Sequence, residues 1–177
     1  MRISVKNLVI ISLLISTISF TSCSKDDASD DIYLNEDQAA TTSVNKNTVT
    51  YNYSNIEKET LEVINTYRES IGLNSLVTID LISTQAETHT DYIVKEGKIS
   101  HDKFNTRANF LIKNLPAKSI GENVASGFSS AKSVVNAWLN SPTHKAIIEN
   151  DNYTHTGISI KTDENGKKYF VQLFAVR

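Results

Sequence analysis

One glutamate and two of the chain's four histidines stand where they could share a site. Glu122 lies in the run SIGENVA at 119–125, His101 follows Ser100, and His144 closes the run SPTH at 141–144. A histidine can change its charge near neutral pH, abstract a proton, or ligate zinc through a neutral nitrogen. A carboxylate could take a proton, orient an imidazole, or accept backbone amides from a neighbouring loop. The three side chains therefore leave three readings open. They could form a general acid–base pair, a zinc site with His101 and His144 as its ligands, or a buried pair that fixes two loops. His155 is a weaker candidate, because it alternates with Thr154 and Thr156 along a strand-like segment. His89 shares an apolar helical stripe with Ile82, Ala86 and Ile93, so it reads as a core histidine. Other chemistries lack their residues. There is no His-Glu-x-x-His helix and no phosphate-cradling glycine loop, and the run around Ser129 lacks the second glycine of a nucleophile elbow.

The elements that must hold these residues follow from periodicity. A capping-box pattern at Ser54 and Glu57 opens a first helix, which Ile56, Val63, Ile64 and Tyr67 continue until Gly72. A second helix is expected over 80–96, with Gly97 as its stop, which leaves His101 on the loop that follows. A third is expected over 130–140, with Ala131, Val134, Val135 and Trp138 facing inward. Ser141 and Pro142 open a short fourth helix with His144 at its third position, where the positive helix end disfavours imidazolium. The tail changes period. Strands are expected over 153–161 and 168–176, joined by a turn at 163–166, with a further strand near 120–125. The nearly continuous apolar run from Tyr169 to Val176 fits a strand covered on both faces. Helices on both sides of a small sheet would supply that cover, giving an α+β fold built as a three-layer α-β-α sandwich.

The start of the chain reads as an address. Arg2 and Lys6 precede an apolar run at 8–20, too short and too rich in serine to span a membrane. The only cysteine, Cys23, ends the run FTSC, which resembles a bacterial lipobox. The expected organisation is a lipoprotein signal peptide at 1–22, then lipidated Cys23 and a flexible tether through 53, then one domain at 54–177. With one cysteine there is no internal disulfide, and stability must come from the core. The net charge is −2, with two of the basic residues in the leader, so nucleic acid is not an expected partner.

Taken in order, several short motifs resemble the CAP superfamily of cysteine-rich secretory, antigen 5 and pathogenesis-related proteins, in its bacterial branch. They are Asn65 with Arg68, Ser100 with His101, the Gly121-Glu122-Asn123 triplet, Trp138 with the SPTH run, and the closing segments around Gly157 and Gln172. The resemblance covers 56–174 and implies the α-β-α fold and a cleft. In animal and plant members the cleft carries two histidines and two glutamates. His101 and Glu122 match one of each. Ser141 and Tyr169 stand at the other two positions, and His144 belongs to the bacterial pattern. The expectation is a CAP-domain lipoprotein held in the bacterial outer membrane, facing the periplasm or the cell surface. Its cleft would act as a non-enzymatic binding module for an envelope, cell-wall, lipid or protein ligand. The alternatives are a hydrolase, metal-assisted or dependent on the His/Glu set, and a structural envelope protein. Zinc is the cofactor that the residues would suit.

Overall fold

The computed structural model describes residues 49–177, so the expected signal peptide, Cys23 and most of the tether lie outside the described residues. The elements run α1 Asn55–Ser70, β1 Val77–Thr78, α2 Asp80–Glu96, α3 Phe104–Asn114, β2 Ser119–Ser126, α4 Ala131–Asn140, α5 Pro142–Ile148, β3 His155–Thr162 and β4 Lys168–Val176. Glu57 caps α1 by accepting the Ser54 amide at 2.7 Å. The helix then buries Glu57, Thr60, Ile64 and Arg68, a stripe at three- and four-residue spacing. Gly97 ends α2 in the left-handed conformation, φ 70°, as its position in the sequence suggests.

Two elements lie outside the sequence reading. One is β1, too short to leave a periodic signal. The other is α3, whose buried Arg107, Ala108 and Leu111 sit at helical spacing. Its start carries none of the usual marks. Lys103 precedes it at φ 57°, no side chain caps it, and its first turn holds no acid.

The strands pair in the order β1-β3-β4-β2, with β1 parallel to β3 and the other pairs antiparallel. Strand β4 lies inside the sheet and is buried on both faces from Tyr169 to Ala175, as its apolar run requires. Phe170 and Phe174 pack with Ile64, Trp138 and Ile148 under α1, α4 and α5. Tyr169, Val171, Leu173 and Ala175 pack with Ile82, Ala86, Ile93 and Leu111 under α2 and α3. These two cores make the three-layer α-β-α sandwich. Truncating Trp138 or Phe170 to alanine would cost about 3–5 kcal/mol.

Beyond β1, helices seal the outer edge of β3. The amide of Ile158 donates to Ser83 Oγ at 3.1 Å, and that of Ile160 to Glu57 Oε1 at 2.7 Å. Helix α2 reaches this edge because Gly157 has no side chain: a Cβ there would strike the backbone of Ile82 and Ser83. The last residues of the expected tether also touch the domain. The Tyr51 hydroxyl donates to Glu57 Oε1 at 2.9 Å, and the Tyr53 hydroxyl lies 2.7 Å from Ser83 Oγ.

Candidate functional site

Glu122 sits on β2, an edge strand, and points into the layer of α2 and α3. Only 5% of it is exposed, so its charge needs partners. The main partner is Arg107 of α3, itself 6% exposed. Its Nη2 donates to both carboxylate oxygens, at 2.9 Å and 2.7 Å, and its Nε donates to Oε2 at 3.0 Å. Such charge-assisted bonds are stronger than neutral ones, and the guanidinium fork adds directional specificity. Glu122 Oε1 also takes a bond from His101, whose Nδ1 lies 2.8 Å away.

His101 lies on the loop between α2 and α3, where the sequence places it. Its side chain is 58% exposed, yet the loop around it is tied down. His89 Nε2 donates to the Ser100 carbonyl at 2.7 Å, and Arg107 Nη1 donates to the Asp102 carbonyl at 2.6 Å. The Tyr92 hydroxyl donates to the Asp102 carboxylate at 2.9 Å. His89 is thus a core histidine, 2% exposed, and burial pushes its pKa below the ordinary imidazole value. Its bond to the loop is its job, although it also lies 4.0 Å from Glu122 Oε1.

His144 occupies the third position of α5, with Ser141 at the N-cap. The Ser141 hydroxyl caps no backbone amide and lies 2.9 Å from His144 Nδ1. Asn123 Nδ2 donates to the His144 carbonyl at 3.2 Å, which ties α5 to β2. The His144 pKa is pushed below its ordinary value, first by burial and then by the charge of nearby His101. The direction agrees with the sequence expectation, and its causes are burial and the charge of His101 rather than the helix end. His155 stands apart, because its register partner on β4 is Ala175, and β4 separates it from β2.

A cleft of about 320 Å3 opens where β2 meets the flanking loops. His101 and Glu122 form its polar wall, and Phe104, Ile120 and Ile147 form its apolar walls. Tyr153 closes one side, and burial raises its hydroxyl pKa, so it stays neutral. Gly121 makes room for it, since a Cβ there would lie 2.5 Å from the Tyr153 hydroxyl. Tyr153 is itself held by Arg68, whose guanidinium donates to the carbonyls of Asn74, Ile148, Asn150 and Tyr153. Sequence reasoning missed Arg107 altogether. The signal available was weak: a buried arginine at helical spacing, in a helix that lacks a cap.

Among the described residues, no group of three or more His, Cys, Asp or Glu side chains is arranged to hold a metal ion. Among the described residues, His101 and His144 each have one ring nitrogen in a hydrogen bond, and His144, expected in the cleft, is not among the residues that line it. Glu122 is committed to Arg107 and to His101 Nδ1, so it fits the outer partner of a liganding histidine better than a ligand.

Several known proteins are similar to this chain in sequence or fold. The model of the cysteine-rich secretory protein family, CAP, matches residues 61–174. The uncharacterized protein YkwD of Bacillus subtilis is 30% identical over 127 residues, 68% of this chain and 49% of the Bacillus protein. The chain therefore spans about half the length of that relative. An outer surface protein of Borrelia burgdorferi superposes with a TM-score of 0.61 at 28% identity, covering 68% of this chain and 91% of the other. A cysteine-rich secretory protein from Staphylococcus aureus gives a TM-score of 0.60 at 22% identity, over 70% of this chain and 38% of its own, and shares the fold.

Proposed function

This chain belongs to the cysteine-rich secretory protein (CAP) family, and from that premise we propose that it is an extracytoplasmic binding module that takes its ligand in the His101/Glu122 cleft. The observation that carries this reading is the Glu122–Arg107 pair. A carboxylate gripped by three guanidinium bonds is a poor general base, because any proton it takes must break that grip. The walls of Phe104, Ile120 and Ile147 suit an apolar body, and His101 offers it one polar contact. A lipid anchor on Cys23 would hold the module in the bacterial outer membrane, facing the periplasm or the cell surface. The likeness to a Borrelia outer surface protein supports that placement.

A hydrolytic reading has one observation in its favour. Glu122 holds His101 by Nδ1, which is how an acidic partner orients a catalytic imidazole. Zinc, where bound, would be held by His101 and His144 and would polarise a bound carbonyl or water.

Cell-envelope lipid extract, cell-wall fragments and secreted protein fractions, each offered to the full chain, separate these readings. Retention of one compound without chemical change, lost in His101→Ala, is the expected result. Conversion of that compound, abolished by Glu122→Gln in a folded protein, would establish the hydrolase instead. No retention by the cleft from any fraction would overturn the binding reading. Calorimetry with zinc on the metal-stripped full chain is expected to show no binding at micromolar strength or tighter, because among the described residues no group of three or more His, Cys, Asp or Glu is arranged to hold a metal. Tight stoichiometric binding that vanishes in His101→Ala would refute this.

A further inference from the structure

We propose that Arg107 is the positioning residue of the cleft, fixing His101 with its proton on Nδ1 and turning Nε2 to the cleft as a bare acceptor, so that the cleft selects ligands that donate a hydrogen bond from a hydroxyl or N–H group on an apolar body. The choice of ligand rests on the binding reading above; the choice of proton position does not.

One carboxylate links the arginine to the imidazole. Arg107 Nη2 and Nε together contact both oxygens of Glu122, at distances of 2.7–3.0 Å. An ionised carboxylate has no proton to give, so the 2.8 Å contact between Glu122 Oε1 and His101 Nδ1 must carry its hydrogen on the imidazole. In a neutral imidazole with Nδ1 protonated, Nε2 is an acceptor. His101 Nε2 makes no hydrogen bond to any other described residue, and the ring lines the cleft with more than half of its side chain exposed. Without a partner, a histidine ring in water prefers the opposite tautomer. The protein therefore has to enforce this one, and Arg107 is the residue that makes Glu122 able to do so. Phe104, Ile120 and Ile147 line the same cleft as His101, so an acceptor nitrogen turned into it would face apolar walls. A ligand group that only accepts would meet two lone pairs face to face, whereas a donor would be matched.

The test is a histidine-ring proton–nitrogen correlation spectrum of the nitrogen-15-labelled full chain, at a pH where the imidazoles are neutral. The expected result is a protonated Nδ1 and an unprotonated Nε2 for His101. Arg107→Gln should shift that ring toward the mixed tautomers of a free imidazole, and Arg107→Lys should restore it in part, because a single ammonium keeps the charge and loses the fork. A wild-type spectrum dominated by the Nε2-protonated form would overturn the proposal, whatever happens to either variant. So would an unchanged His101 tautomer in an Arg107→Gln protein that still melts cooperatively. For the ligand half, p-cresol and its methyl ether are titrated against the same spectrum. The phenol should move His101 Nε2 and the ether should not. An equal response, or none to the phenol, would sink donor selection while leaving the binding reading and the proton position to stand on their own measurements.

Discussion

His89 shows how a buried imidazole links the loop to acidity. Burial lowers its pKa in the folded chain, so the unfolded chain takes up this proton first as the pH falls. The stability it contributes is complete above the unfolded value of about 6.5 and is lost as the pH drops through it toward the lower folded value. His144 and His155 shift the same way and add to the slope. Melting temperature should therefore decline as the pH falls below about 6.5, the unfolded value. His89→Gln, which keeps a donor for the Ser100 carbonyl and cannot titrate, should flatten part of that decline. Equal slopes in the two proteins would show that the His89 proton plays no part. Arg107 makes a different point about single residues. Its partner Glu122 is on another element, and no local pattern in the sequence announces the pair. His101 and Glu122 could be named from their motifs, and the third member of their network could not.

Among the elements, the one most sharply specified is the contact of α2 with β3 at Gly157. A methyl group there would meet main chain, which cannot swing away as a flexible side chain would. Gly157→Ala should cost about 1–3 kcal/mol or more, read as a lower midpoint in urea unfolding; an unchanged midpoint would mean that α2 is less tightly seated than it looks. The start of the domain can be probed in the same way. Tyr51 and Tyr53 bond to Glu57 and Ser83, so a fragment of residues 49–177 should be more stable than one of 54–177, by about 1–3 kcal/mol. Both should melt cooperatively. Identical melts would place the two tyrosines outside the folded unit. The helices α1, α2 and α4 were legible because each combines an apolar period with a start or stop residue, and β4 because its apolar run needs cover on both faces. Helix α3 was hidden because Lys103 takes a left-handed turn with no capping side chain, so tertiary packing rather than local preference sets its start.

At the scale of the whole chain, the proposed lipid on Cys23 would do the anchoring and the proposed cleft the binding. Cys23→Ser should move the protein from the membrane fraction of bacterial cells to the soluble fraction, and an unchanged distribution would remove the lipid from the proposal. Among the described residues, no helix is long and apolar enough to cross a membrane. Molecules tethered to a sheet of lipid meet one another far more often than they would in free solution. The way helices finish β3 then acquires a second meaning. Ser83 and Glu57 already hold the amides of Ile158 and Ile160, and an edge whose donors are taken offers no template to a neighbour's strand. Where the proposed anchor crowds copies together at such a surface, they would meet without a neighbour's strand extending the sheet from its β3 side.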